Sequence, residues 1–170
     1  MPAETASRPG GPDEVDAIVD AWRRELPDLD ASPLEVLSRV SRLARHLDRT
    51  RAATFAAHGL ELWEFDVLAA LRRAGTPYRL SPGRLVALTL VTSGTMTNRL
   101  DRLEARALLR RLPDPDDGRG VIVELAGAGR ELVDAAIADL VAVERDLLSG
   151  LSAPERSSLS SLLRDLLARF

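Results

Sequence analysis

Residues 81–125 read SPGRLVALTLVTSGTMTNRLDRLEARALLRRLPDPDDGRGVIVEL. Ser81-Pro82 places a helix-capping residue before a proline, which predicts a helix from there to about Leu88. After a short break, a second helix is predicted from Thr92 to about Ala107. Two short helices joined by a tight turn are typical of a helix-turn-helix.

Two apolar segments, 108–112 and 121–125, follow the second helix. The loop between them, over 113–120, is rich in Pro, Asp and Gly, which predicts a two-stranded β-hairpin. A helix-turn-helix followed by such a hairpin is a winged helix-turn-helix, in which the hairpin is the wing. The predicted fold class is therefore mainly α, with a two-stranded β-wing.

Helical patterns lie on both sides of this stretch. Ser32-Pro33-Leu34-Glu35 reads as a capping box that opens a long helix ending at Gly59, and apolar residues almost all round 61–74 predict a buried central helix. The outer helices carry apolar stripes that a small domain cannot bury by itself, which favours dimerisation through them. The predicted organisation is a flexible arm over 1–12, N-terminal helices over 13–58, a winged helix-turn-helix region over 59–126 and C-terminal dimerisation helices over 127–170.

Composition excludes several classes of function. The chain has 170 residues, no cysteine and two histidines, so thiolate chemistry is absent and no metal site is expected. No phosphate loop, nucleophile elbow or cofactor motif is present, so the chain is not expected to be an enzyme. No run of about 20 apolar residues is found, and a cytoplasmic, membrane-free protein is expected.

Charge gives a mixed indication about partners. The net charge of −3 and the pI near 5.5 argue against a nonspecific polyanion binder. All 23 basic residues are Arg, the side chain suited to bidentate contacts with phosphate and guanine. The distribution of charge therefore matters more than its sum.

Asp66 lies within the apolar helix over 61–74. An unpaired buried carboxylate is costly, so an Arg partner is expected for it. On the second helix of the helix-turn-helix, Arg99 lies about 70° from the centre of the apolar face, by the turn of about 100° per residue. The Arg99 side chain can therefore face the protein and not the surface on the opposite side of this helix.

The order of elements and several segments resemble the MarR family of regulators. The resemblance is carried by Leu62–Leu68, Val91–Glu104, Leu108–Arg111 and the Asp-rich wing. Within that family the chain is most similar to the urate-responsive PecS/HucR-type branch. That resemblance implies a ligand site made by Trp22, Asp66, Arg99 and Arg111, with Arg111 as the partner of Asp66.

The chain departs from the family pattern at three places. Ala107 stands where a Gly is usual after the second helix of the helix-turn-helix, called the recognition helix. Gly118 replaces the first of two wing arginines, and Ala126-Gly127 replaces a Thr-Pro. The first departure bears on where the helix ends. The second removes one possible contact with DNA.

The second helix has a clear division between its two faces. Met96, Leu100 and Leu103 share a face that must point into the domain, with Ala107 expected on the same side. The opposite face carries donor and acceptor types suited to base edges and phosphates. The predicted DNA-reading residues on it are Ser93, Thr95, Thr97, Asn98 and Arg102. The alternative is that these polar residues solvate an exposed helix.

Arg119 is predicted to enter the minor groove from the tip of the wing. The alternative is that it pairs with Asp114, Asp116 or Asp117. A twofold dimer would present two recognition helices about 34 to 36 Å apart, which selects an inverted repeat in double-stranded DNA.

The predicted function is therefore a homodimeric regulator, a repressor by default, that a small anion such as urate releases from a palindromic operator. In the hypothesis, the anion binds Arg99 beside the Trp22 ring, repels Asp66 and weakens its pairing with Arg111. The competing interpretation is a winged-helix protein that binds other proteins and not DNA.

Overall fold

The computed structural model describes residues 11–115 and 120–170. The described chain divides into two compact units, the first ending at Thr50 and the second starting at Arg51. The predicted arm over 1–12 lies outside the described residues up to residue 10.

The first unit contains α1 (Glu14–Glu25) and the first part of α2 (Ser32–Ala57). Asp13 caps α1, because its side chain accepts from the backbone N–H of Val15 at 2.8 Å. The Arg39 guanidinium donates to Asp13 and holds the pKa of that carboxyl at about 2. A small apolar cluster fills this unit, made by Val15, Val19 and Ala31 with Leu34 against it.

The predicted capping box at Ser32 is wrong. Helix α2 already includes Ser32, whose N–H donates to the Asp30 carboxylate at 3.0 Å. Glu35 instead forms an ion pair with Arg23 at 2.6 Å. In the predicted capping box the Glu35 carboxylate would accept from the Ser32 N–H. Asp30, which precedes the helix, accepts that hydrogen bond instead.

The second unit contains the rest of α2 and the remaining elements. Its helices are α3 (Leu62–Arg73), α4 (Pro82–Thr89), α5 (Ser93–Ala105), α6 (Gly127–Leu147) and α7 (Ala153–Leu167). Ser81 and Thr92 cap α4 and α5 through their side-chain oxygens, as expected for these residue types. The tight connection between α4 and α5 confirms the predicted helix-turn-helix.

A three-stranded antiparallel sheet follows the order β1-β3-β2. The strands are β1 (Arg79–Leu80), β2 (Leu109–Pro113) and β3 (Val121–Leu125), with Arg111 opposite Val123. Strands β2 and β3 are the two strands predicted for the wing. Strand β1 has two residues, too few for an alternating pattern, so the sequence did not predict it.

The core of the second unit is built mainly from α3, α5 and the sheet. Phe55 stacks on Phe65 with ring centroids 3.9 Å apart, and Leu68, Leu71 and Leu85 are fully buried. This core anchors the inner faces of α4 and α5, so the outer face of α5 is held at the surface.

Helix α5 ends two residues earlier than predicted. Ala107 takes φ +54°, its N–H donates to the Glu104 carbonyl at 2.8 Å, and the Leu108 N–H donates to the Leu103 carbonyl at 3.1 Å. This pair of hydrogen bonds is a Schellman motif, which requires a left-handed residue at the position of Ala107. Ala107 is therefore exposed beyond the end of the helix. The prediction that it shares the inward face of α5 is wrong.

Large apolar side chains are exposed along the outer helices. None of the 15 residues of α7, all of which are described, is buried. Exposed apolar residues on α2 and α6 include Leu37, Leu43, Ile137 and Val141. Among the described helices, none is both long and apolar enough to cross a membrane.

Candidate nucleic-acid interface and effector site

The inner face of α5 is buried, as predicted. Met96, Leu100 and Leu103 keep at most 1% of their surface exposed. The helix starts at the Thr92 cap, whose hydroxyl lies 2.9 Å from that of Thr95. This anchoring fixes which side of α5 faces solvent.

The outer face of α5 is polar and exposed. The exposed residues include the five that were predicted to read DNA, namely Ser93, Thr95, Thr97, Asn98 and Arg102. The first turn of α5 carries no acidic side chain, so its free N–H groups and positive dipole end are not neutralised locally. A helix N-terminus of this kind suits an approaching phosphate.

Arg102 is exposed but engaged by side chains of α3 and its cap. Its guanidinium forms an ion pair with Glu61 and lies 4.7 Å from the centroid of the Trp63 ring. The Trp63 indole N–H donates to the other Glu61 oxygen at 2.7 Å. The hydrogen bonds from Trp63 and then from Arg102 lower the pKa of Glu61.

Glu64 is the buried acid of α3, and the sequence reasoning missed it. Its side chain is 3% exposed, pairs with Arg106 at 2.7 Å and accepts from the Glu61 N–H at 2.9 Å. Arg106 also donates to the Gly59 carbonyl at 3.0 Å. Glu61 and Glu64 are three residues apart and Arg102 and Arg106 are four apart, so each pair lies on one side of its own helix, but no local pattern indicates that the two pairs meet.

The predicted pairing of Asp66 with Arg111 is wrong. Asp66 is 44% exposed and faces Arg51 at 3.9 Å. Glu64 and Asp66 lie about 200° apart around α3, so they cannot share a face, and Glu64 takes the buried one. Asp66 therefore does not carry the buried, unpaired charge that motivated its predicted partner.

Arg111 instead connects the first wing strand to α5. Its guanidinium lies 2.7 Å from Asp101 and 2.5 Å from Glu104, and it donates to the Thr97 carbonyl at 3.3 Å. Three of its contacts therefore lie on the recognition helix, and any group that competes for Arg111 acts directly on α5.

The other predicted ligand residues are placed as follows. Arg99 is partly buried, with its guanidinium carbon 5.3 Å from the Trp63 ring centroid, and so lies toward the protein. Trp22 belongs to the first unit, on α1, and is 45% exposed. The proximity of Trp22 to Arg99 stays a prediction.

The wing tip carries the last of the predicted DNA contacts. Arg119, with Asp116 and Asp117, lies outside the described residues, so its predicted minor-groove contact stays a prediction. At the base of the wing, the Asp114 N–H donates to the Gly120 carbonyl at 3.0 Å. The two strands therefore remain paired up to the tip.

A metal centre has no support in the described structure. Within residues 11–115 and 120–170, no three His, Asp or Glu side chains come together in a way that could hold an ion.

Comparisons with known proteins agree with this geometry. A family model described as the MarR family matches residues 58–120. The chain is 41% identical over 150 residues to the HTH-type transcriptional regulator PecS of Dickeya dadantii, covering 88% of this chain and 90% of that protein. It is 34% identical to the HTH-type transcriptional repressor NicR of Pseudomonas putida, covering 82% and 89% respectively.

A solved structure has the same fold. It is a mutant of MarR from Escherichia coli complexed with operator DNA, which superposes with a TM-score of 0.64 at 26% identity and covers 86% of this chain and 97% of that one. The relatives are transcriptional regulators, which confirms the prediction that the chain is not an enzyme. The chain belongs to the MarR family of helix-turn-helix transcriptional regulators.

Proposed function

We propose that the chain is a homodimeric, cytoplasmic repressor that reads an inverted repeat through α5 and leaves it when a small anion binds. The observation that carries the DNA-binding part is the division of α5 into a buried apolar face and an exposed polar face. Ser93, Thr95 and Asn98 supply hydroxyl and amide groups near the helix start, where a close approach to DNA is possible. Operator DNA bound to the related MarR protein supports this role for α5.

Self-association is supported by the exposed apolar faces. Helix α7 carries Leu159, Leu162, Leu163 and Leu166 on one side, each at least 36% exposed. Contiguous apolar surface of this kind marks an interaction site in a soluble protein. A second copy of the chain would cover it and place two α5 helices in successive major grooves.

Effector binding is supported by the two arginines near α5. Arg99 can bind a planar anion such as urate through charge-assisted hydrogen bonds, and the predicted stacking of Trp22 on that anion is kept as part of the proposal. Arg111 contacts Thr97 and Asp101, each about 200° around α5 from Arg99, so it can bind an anion on another side of the helix. Because Arg111 contacts Asp101 and Glu104, an anion that competes with these carboxylates would change how α5 is held. Ligand and DNA then favour different arrangements, so each weakens the binding of the other by the same factor.

The experiment is a footprint on the intergenic DNA beside the gene, repeated with urate and related anions. We expect protection of an inverted repeat, an affinity that falls steeply with salt concentration, and release by urate. Absence of binding at low salt would contradict the DNA-binding role and favour a protein–protein module. Normal DNA binding without release by urate would reject urate while leaving the regulator intact.

The effector site is tested separately by Arg99→Gln and Asp66→Asn. We expect Arg99→Gln to raise the urate concentration needed for release by about ten-fold or more, since a charge-assisted contact contributes about 1.5–3 kcal/mol. Asp66→Asn reports whether the half-buried Asp66 takes part in sensing. If Arg99→Gln responds to urate as the wild type does, Arg99 is not part of the effector site.

A further inference from the structure

The Arg102 guanidinium is the one predicted DNA contact on α5 that is a charged group, and in the described structure it is held by Glu61 and Trp63. We propose that Glu61 and Trp63 are its positioning residues: the Glu61 carboxylate occupies Arg102 in the DNA-free protein and is exchanged for DNA, and the Trp63 ring links this exchange to Arg99. The proposal deepens the proposed function and rests on it, because it requires that Arg102 contacts DNA.

The three side chains form a closed arrangement within the second unit. One Glu61 oxygen accepts from Arg102 and the other accepts from the Trp63 indole N–H at 2.7 Å. The Arg102 guanidinium carbon lies 4.7 Å from the centroid of the same ring. Each of the three residues therefore contacts the other two.

Glu61 presents Arg102 with the same chemistry as DNA. A carboxylate, a phosphate and the acceptor edge of guanine all bind a guanidinium through its planar fork of donors. The hydrogen bonds from Trp63 and from Arg102 lower the pKa of Glu61, which keeps it in the charged form that competes with phosphate.

The exchange is feasible because the ion pair is exposed. The side chains of Arg102 and Glu61 are 54% and 55% exposed. Ion pairs at this exposure are weak, so a phosphate or base edge in a full interface can displace the carboxylate. We therefore expect the pair to reduce DNA affinity by a small factor without preventing binding.

Trp63 connects this pair to the predicted effector residue. Arg99 and Arg102 lie three residues apart on α5, and both guanidinium groups lie within 6 Å of the Trp63 ring centroid, at 5.3 and 4.7 Å. Trp63 packs against the main core cluster, which restricts its movement. Two cations on one ring repel each other, so an anion bound to Arg99 relieves that repulsion and favours Arg102 in its DNA-free position.

The exchange is tested by a double-mutant cycle of Glu61→Gln and Arg102→Ala. Dissociation constants for a duplex from beside the gene are measured at one salt concentration. We expect Glu61→Gln to tighten binding about three-fold, consistent with a weak exposed pair. Arg102→Ala should weaken binding about ten-fold, and Glu61→Gln should have no effect in the Arg102→Ala background.

The outcomes separate this proposal from the function on which it rests. Glu131→Gln removes the same charge from an exposed position on α6 and should leave the dissociation constant unchanged. An equal gain from Glu61→Gln in both backgrounds would mean a general charge effect and would overturn the exchange. Normal DNA affinity in Arg102→Ala would show that Arg102 does not contact DNA, although the protein binds it.

The role of Trp63 is tested without any effector by Arg99→Gln, which removes the charge that a bound anion would neutralise. We expect the gain from Glu61→Gln to become larger in the Arg99→Gln background, and this dependence to vanish in Trp63→Leu. An unchanged gain in Arg99→Gln would overturn the link. A second measurement uses Trp22→Phe, which leaves Trp63 as the fluorescent indole: DNA should shift its emission, and Arg102→Ala should abolish that shift.

Discussion

The carbonyl oxygen of Leu108 lies 2.0 Å from the position that a Cβ atom would occupy on Gly129. Gly129 is buried on α6, and Leu108 connects α5 to the first wing strand. The missing side chain therefore allows the C-terminal helix to approach the backbone that follows the recognition helix. A larger residue would have to move that backbone.

Gly129→Ala should lower the free energy of unfolding by about 2–3 kcal/mol, since the clash is with backbone and not with a flexible side chain. Gly127→Ala is the matched control, because Gly127 lies on the same helix and a Cβ there meets nothing within 4 Å. Urea denaturation of both variants measures the difference. Equal stability of the two would show that α6 can shift without cost.

Ala107→Gly should stabilise the protein by about 0.5–1 kcal/mol. Ala107 occupies the left-handed position of a Schellman motif, with φ +54°, where a Cβ is disfavoured. The gain is smaller than the full strain because glycine also increases the freedom of the unfolded chain. Thermal unfolding measures it.

Helix α2 provides the reverse experiment. It ends in the same motif, with Gly59 at φ +65° and hydrogen bonds from Gly59 to Ala56 and from Leu60 to Phe55. A Cβ on Gly59 meets nothing within 4 Å, so Gly59→Ala tests backbone conformation without a clash. We expect a loss of similar size; a gain at Gly59 would show that the φ value does not control these termini.

Glu124 should make stability depend on pH in the acid range. Hydrogen bonds from Arg110 and then Arg79 lower its pKa in the folded protein from the ordinary value of 4.5. A lowered folded pKa means that the stabilisation is present above about pH 4.5 and is lost as the pH falls through the folded value. Glu124→Gln should therefore destabilise the protein at pH 7, and the difference from wild type should shrink toward pH 3.

Urea denaturation at several pH values checks this. Glu131→Gln removes the same charge from an exposed site and should change stability little at any of them. A difference between wild type and Glu124→Gln that stays constant from pH 7 to pH 3 would show that the Arg110 and Arg79 contacts do not favour the charged form.

The parts of the fold that were predicted correctly depend on local patterns. Met96, Leu100 and Leu103 follow the helical period and are buried, and Ser81 and Thr92 precede helices as capping residues do. These features are properties of neighbouring residues. The spacing of apolar residues and the capping residues are therefore enough to predict the helix-turn-helix and the wing.

The parts that were missed depend on residues far apart in the chain. Helix α3 carries acids at both Glu64 and Asp66, and period alone does not decide which is buried. Glu64 is the buried one because Arg106, 42 residues away in the chain, donates a hydrogen bond to it. In the same way, Glu61 lies 41 residues from Arg102 in the chain. No pattern of neighbouring residues therefore indicated that Arg102, a predicted DNA contact, is paired with an acid.

Leu162→Glu should disrupt the proposed self-association through α7. Leu162 is 62% exposed in the single chain and lies on the apolar side of a helix that has no buried residue. A carboxylate placed in a dimer interface loses its hydration without gaining a partner, which is costly. The mass measured by light scattering after size exclusion should fall from twice 18.5 kDa toward a single chain. Ser157→Glu adds the same charge on the opposite side of α7 and should leave the dimer intact. If Leu162→Glu elutes with the mass of the wild type, a second copy does not cover this face of α7.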